Sequence, residues 1–245
     1  MINVCLDWNC IIGLEEEREY SPALRQIREW YKQGKIALCI SSPSRMENHR
    51  SRDRRFYDEK EWNEKLRNVD LEGIELRSSK PRFFNVPGLQ PVLIRAIHDR
   101  LFPNVPFLYR DYAQDQNVEL PEPHGVFFSS QSLQEELEKE NQEQRDLGRK
   151  WNNKKNDALS IYTFATWSGS DDVFVTVDYK DLIKNREKLQ APYVVKVARP
   201  VEVPGNQGER ILQENLEEIP GHIVIPGHIL TPQETVEYLR KRLEE

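Results

Sequence analysis

The chain opens on a β-branched, apolar run, Ile2 to Leu6, that ends at Asp7, and the apolar pattern resumes at Ile11 and Ile12 after a polar break. That order predicts a strand, an acid and then a helix start. Leu24, Ile27, Trp30 and Tyr31 recur at helical spacing behind the pair Ser21-Pro22, and Gly34 closes the run. A second strand is predicted over 35–40. Ser41, Ser42 and Pro43 follow as a cap and N1 proline for another helix, which carries Glu47 in its first or second turn. One strand therefore leads to Asp7 and the next to Glu47, as expected if adjacent parallel strands end on one side of a sheet.

The middle of the chain is less regular. A highly charged helix is predicted over Arg54 to Asn68, a strand around Ile74 to Arg77, and an amphipathic helix from Val92, Leu93, Ile97 and Leu101. Pro103, Pro106, Pro121 and Pro123 then interrupt regular structure, and Gln131 to Lys155 reads as an exposed polar helix. Residues 48–150 are accordingly expected to form an insertion or elaboration within a single domain spanning 1–245. Apolar order returns at Tyr193 to Val197 and Val201 to Val203, and Thr231-Pro232 with Glu234 marks a capped terminal helix bearing Val236, Leu239 and Leu243.

Composition narrows the class. With 245 residues and 38% apolar content the chain can bury one sizeable core, while a 31% charged fraction and a mean hydropathy of -0.75 indicate a heavily solvated exterior. No run approaches the roughly 20 apolar residues that span a bilayer, and no basic region followed by an apolar run and cleavage site opens the chain. No membrane partner and a cytoplasmic location are the expectation. Cys5, Cys10 and Cys39 lie in or beside apolar runs without CxxC spacing, which favours reduced core thiols over a disulfide framework or a zinc site. The net charge of -6 argues against a surface that grips nucleic acid all over, yet leaves room for a local basic groove.

The most informative segment is NDALSIYTFATWSGSDDVFVTVDYKDL, residues 156–182. Asp157 opens a helix-like run, Asp172 precedes the apolar Val173, Phe174 and Val175, and Asp178 sits just beyond. An apolar strand emptying into an acid is how α/β proteins deliver a carboxylate to the carboxyl edge of the sheet, where their sites lie. Together with CLDWNCIIG at the N-terminus, the acid after strand two and the terminal ILTPQETVEYL, this segment resembles the successive motifs of the PIN-domain superfamily; DVFVTVD is the most specific part. The resemblance covers both ends of the chain and leaves its middle unmatched. It departs at Trp8, where the family more often has Thr or Ser, and at the SRMENHR context of Glu47.

What the resemblance implies is a three-layer α/β/α sandwich with a mainly parallel central sheet and a divalent-metal-dependent ribonuclease activity, in many members that of a toxin paired with an antitoxin. A homodimer is also a family expectation. By motif, Asp7, Glu47, Asp157 and Asp178 correspond to the four catalytic acids and Asp172 to an auxiliary metal ligand. Asn9 and Thr176 fall where polar residues orient the cluster.

The chemistry is consistent with this by itself. Clustered carboxylates repel and are tolerated when a cation neutralises them. Oxygen-only ligands suit Mg2+ or Mn2+ better than zinc, and such ions activate water toward a phosphodiester. Asp7 would be the central ligand, Asp157 and Asp178 would complete the shell and Glu47 would position a water. Each acid alone would also serve as a cap or turn residue; four in order at element edges favour a common site. A phosphoaspartate enzyme is disfavoured because Asp7-Trp8-Asn9 lacks a second Asp.

Two basic groups flank these acids. Arg45, Arg50 and Arg54 surround Glu47, with Phe56 and Tyr57 nearby, and Arg149, Lys150, Lys154 and Lys155 precede Asp157, with Trp151 among them. Cations with interleaved aromatics suit single-stranded RNA; the alternative is solvated helix faces carrying ion pairs. The competing function is a catalytically inactive PIN-like module that binds RNA or protein without cutting.

Overall fold

The computed structural model describes residues 1–47, 59–79, 89–103, 154, 156–204, 210–223 and 225–244. Four short apolar segments, β1 (Ile2–Leu6), β2 (Ile36–Ser41), β4 (Val173–Val175) and β7 (His228–Leu230), join the edge strand β3 (Glu75–Arg77) in a five-stranded sheet of order β3-β2-β1-β4-β7. Every pairing is parallel. Parallel strands covered on both faces read as continuous apolar runs rather than alternating ones, which is why INVCL and IALCI stood out in the sequence.

Helices cover both faces. α1 (Trp8–Glu15), α2 (Ser21–Lys32), α3 (Glu59–Asn68) and the C-terminal α7 (Pro232–Glu244) share a core with Val4, Leu6, Leu38, Ile40, Val173 and Val175. α4 (Leu89–Leu101), α5 (156–165) and α6 (Arg186–Gln190) pack on the other face against Cys5, Cys39, Phe174 and Ile229. The two-residue period of the strands separates the cores: Val4 and Leu6 point one way, Cys5 the other. Among the described residues, no helix is long and apolar enough to cross a membrane.

Several local expectations are met by identifiable contacts. Gly34 ends α2 with φ +69°, a conformation only glycine adopts without strain. Thr231 and Glu234 form a reciprocal capping box: the Thr231 backbone N–H donates to Glu234 Oε2 at 2.9 Å and the Glu234 N–H to Thr231 Oγ1 at 3.2 Å. Arg186 adds two bonds to the same carboxylate, at 2.8 and 2.9 Å.

In the middle of the chain the strand expected around Ile74 to Arg77 and the amphipathic helix carrying Leu93, Ile97 and Leu101 are both seen, as β3 and α4. Residues 59–79 and 89–103 do not stand apart from the body as an insertion, because β3 completes the sheet and Trp62, Leu66, Leu71, Ile74, Leu93, Ile94 and Ile97 are buried in its two cores. Polarity and proline content concealed this, since a few well-placed apolar residues suffice to dock a charged helix. Of the helix expected over Arg54 to Asn68, Glu59–Asn68 is seen. The polar helix expected over Gln131 to Lys155 lies outside the described residues apart from Lys154. The apolar stretches after Tyr193 form a long antiparallel ribbon, β5 (Tyr193–Pro204) with β6 (Arg210–Ile223). Pro200 and Pro204 had masked its continuity. Arg100 anchors its root by covering the Tyr193 ring at 3.4 Å and donating to the carbonyls of Lys188, Ala191 and Pro192.

The return from this ribbon into β7 depends on one close approach. A Cβ added at Gly227 would stand 2.5 Å from Phe164 Cζ and 2.6 Å from the Asp172 carbonyl oxygen. Gly227→Ala is therefore expected to lower stability by about 2 kcal/mol or more. Urea denaturation reads this directly, and an unchanged midpoint would show that β7 does not need the contact.

Candidate active site at the carboxyl edge of the sheet

Parallel register brings three strand ends level, since Leu6 pairs with Ile40 on one side and with Val175 on the other. Asp7, Ser41 and Thr176 consequently emerge on one edge. The chain leaves β1 toward β2 on one side and reaches β4 on the other, so the crevice between β1 and β4 is a topological switch point, the usual location of sites in such sheets.

Asp7 occupies that point. Its backbone N–H extends the ladder by donating to the Val175 carbonyl at 2.9 Å, and the residue is 1% exposed. It stands at the N-cap position of α1, yet its side chain does not cap the helix. Thr176 Oγ1 donates to Asp7 Oδ2 at 2.6 Å instead, and Asn9 Nδ2 approaches the same oxygen at 3.5 Å. The Asp178 backbone N–H donates to Thr176 Oγ1 at 3.0 Å, so one buried hydroxyl links the two acidic segments. Behind Asp7, Trp8 stacks on Trp62 with centroids 4.1 Å apart and an 11° interplanar angle, which holds the start of α1.

Asp157 arrives on α5. Ser160, three residues on, accepts from Ser41 Oγ at 2.9 Å, and Ser41 also bonds Ser44 at 3.0 Å. These buried hydroxyls fasten α5 and the 3-10 turn Ser42–Glu47 to the end of β2. Asp178 caps the next segment, its Oδ1 accepting from the Asp181 N–H at 2.8 Å.

Electrostatics tie the acids together. Burial raises the Asp7 carboxyl from the usual 3.8 to about 6, a rise that the Asp178 charge reinforces and the Thr176 hydrogen bond opposes. Asp157 is pushed well above the ordinary carboxylate range, first by enclosure of its carboxyl group and then by the charges of Asp7, Asp178 and Asp181; Lys154 acts against this. Among the described residues, no salt bridge reaches Asp7, Asp157 or Asp178. Burial also drives the Cys5 and Cys10 thiols upward, so both remain protonated near neutrality and are poor metal ligands. Among the described residues, no three His, Cys, Asp or Glu side chains are already arranged to hold an ion.

The other expected site residues divide clearly. Asp172 is a correction: it precedes β4 and lies at the opposite, amino edge. There its Oδ1 accepts from the Asn3 backbone N–H at 2.7 Å and from Asn3 Nδ2 at 2.9 Å, while Oδ2 accepts from the Gly169 N–H at 2.7 Å. It pins the sheet and does not join the acidic edge. Lys154 does lie beside Asp157, its amine 4.3 Å from the Phe102 ring. The backbone of Arg45 and Glu47 belongs to the turn after β2, but their side chains fall outside the described residues, as do Arg50, Arg54, Arg149, Lys150 and Lys155. Asp181 and the Ser41, Ser44, Ser160 network were not anticipated. The three-residue spacing of Asp157 and Ser160 on one helix was the available signal for the latter.

Comparison with protein-family models, with curated proteins and with solved structures finds no match to this chain.

The raised Asp7 carboxyl sets a pH dependence. Its folded-state pKa lies above the unfolded value, so its stabilising contribution is complete below about pH 4 and is lost as pH rises through about 6. Asp7→Asn removes the buried charge while keeping an oxygen for Thr176. In EDTA the variant is expected to gain on the wild type between pH 4 and pH 7.5, by up to about 3 kcal/mol. Denaturation at both pH values measures the gain, and a difference that stays constant with pH would contradict it.

Proposed function

We propose that the chain is a PIN-like, three-layer α/β/α endoribonuclease that uses Mg2+ or Mn2+ to hydrolyse phosphodiester bonds of single-stranded or structured RNA. The observation that carries this reading is that Asp7 and Asp157 are each raised by burial and then by the charge of Asp178 at the β1/β4 switch point, with no salt bridge reaching the three acids among the described residues. Acids held in that state fit a divalent cation by donor chemistry, since the donors are all oxygen and the neighbouring thiols stay protonated.

Asp7, Asp157 and Asp178 would hold the ion. When bound, it would neutralise the acids, polarise the phosphate and render a water more acidic. The remaining work falls to the chain. Thr176 fixes Asp7 Oδ2 and, through the Asp178 N–H, the distance between two ligand-bearing segments; Asn9 approaches the same oxygen. Glu47, at the end of the turn after β2, would orient the attacking water. Lys154, beside Asp157, would meet the substrate phosphate, with Arg45, Arg50, Arg54, Arg149, Lys150 and Lys155 extending the basic track. A toxin or defence role in the cytoplasm, with an antitoxin or a second copy as partner, is the setting that this reading proposes.

Cleavage of labelled single-stranded RNA and DNA in Mg2+, Mn2+ or EDTA tests it. RNA is expected to be cut only with a divalent ion, and Asp7→Asn or Asp178→Asn to reduce the rate about 100-fold or more. Thr176→Val is expected to lose about 10- to 100-fold as a positioning residue. Asp172→Asn should destabilise the fold by about 1–3 kcal/mol and leave the rate of the folded fraction unaltered. Cleavage that survives EDTA or both Asp substitutions sinks the proposal. RNA bound but never cut would favour the inactive binding module.

A further inference from the structure

Tyr179 is 70% exposed, and Met1 is the other large apolar side chain so exposed among the described residues. It directly follows Asp178. Solvent exposure of a single aromatic is ordinary; what sets this one apart is how firmly it is displayed. Residues Tyr179–Ile183 form a π-helical turn, closed by bonds from the Ile183 N–H to the Asp178 carbonyl at 2.9 Å and from the Lys184 N–H to the Tyr179 carbonyl at 3.1 Å. Such turns interrupt regular helix geometry and recur at functional sites. The Tyr179 N–H donates to the Val177 carbonyl at 2.9 Å, Asp178 Oδ1 accepts from Asp181, and Leu182 and Ile183 are buried beneath. The ring therefore stands on a fixed base beside the acidic edge. Lys180 within the turn and Lys184 at its C-terminal cap are both exposed.

We infer that Tyr179 is a stacking platform for an unpaired base next to the scissile phosphate, with Lys180 and Lys184 meeting the adjoining phosphates, so that the site selects single-stranded nucleic acid over duplex. This rests on reading the acidic edge as a phosphodiesterase site. The physical case is that every base presents a π-face, that a two-torsion aromatic on a rigid turn loses little entropy on stacking, and that paired bases have both faces already covered by their neighbours. The cations that follow it in the chain supply the sequence-independent phosphate attraction. A ring that served only packing would lie under the protein surface rather than outside it.

The test separates binding from cutting. Fluorescence anisotropy of a short labelled oligoribonucleotide, single-stranded or annealed to its complement, is measured with Ca2+ in place of Mg2+ and Mn2+. Wild type is expected to prefer the single strand. Tyr179→Ala should weaken single-strand binding about tenfold or more and barely change duplex binding, whereas Tyr179→Phe should keep the affinity. Scanning one abasic residue along the oligonucleotide should find a position that weakens wild type but not Tyr179→Ala. Thermal melting confirms that the variants fold, as exposure of the residue leads one to expect. Wild-type affinity in Tyr179→Ala overturns the inference, as does loss in Tyr179→Phe equal to that in Tyr179→Ala, or failure of wild type to bind single-stranded RNA. Stacking without any cleavage in Mg2+ would remove the nuclease reading alone; cleavage with a neutral Tyr179→Ala would remove the stacking alone.

Discussion

Burial of the Asp7 carboxylate is the constraint around which this protein is arranged. An enclosed, ionised carboxylate is tolerated only when hydrogen bonds or opposite charge compensate it. Here compensation is limited to one short bond from Thr176, a lesser one from the Trp8 backbone N–H and a long approach from Asn9, with no salt bridge among the described residues. Nor can the side chain retreat. Its backbone is stitched to β4 through Val175, and the residue after it is clamped by the stack of Trp8 on Trp62. The sheet thus fixes a carboxylate where its charge is least welcome, the kind of local instability that function commonly imposes on a fold.

The topology makes that arrangement possible. Thr176 and Asp7 are 169 residues apart in sequence, yet the central pairing of β1 with β4 makes them neighbours at 2.6 Å. Asp157 is delivered by different means, a helix laid across the same edge and fastened at Ser160 to the end of β2. Three acids are thus brought to one edge from two strand ends and one helix. Each attachment is made of groups already required by the fold: a ladder bond, a buried hydroxyl network, a packed helix.

How much of this was legible in the sequence depended on how local the signal was. The strand runs ending at Asp7 and at Thr176 and Asp178, the Gly34 stop and the Thr231, Glu234 capping box are short-range patterns, and each is seen at its expected place. The docking of residues 59–79 and 89–101 was not legible, because Trp62, Leu66, Ile74 and Leu93 are sparse among charges and reveal themselves only once the sheet exists to receive them. The β5/β6 ribbon was hidden by Pro200 and Pro204, which read as breaks although antiparallel ribbons tolerate proline at edge positions. The link from Ser41 to Ser160 is a long-range contact between unremarkable residues, which composition and spacing do not advertise.

Asp172 explains why motif position alone misplaces a carboxylate. It and Thr176 bracket the same three-residue strand, and with side chains alternating across so short an element an acid at either end looks equally suited to a site. The strand has polarity, however, and its ends differ in what surrounds them. At the amino end, three N–H donors converge on both Asp172 oxygens and complete its requirements within the fold. At the carboxyl end, Asp7 meets a hydroxyl and the charge of Asp178, and a carboxylate so placed still lacks positive compensation. What surrounds each acid therefore separates them better than counting residues along a motif. The N–H donors around Asp172 come from the start of β1 and from the turn before β4, so its carboxylate ties the amino edge together. At Asp7 burial and the Asp178 charge outweigh the donors supplied by Thr176, Trp8 and Asn9, and its carboxyl stays raised.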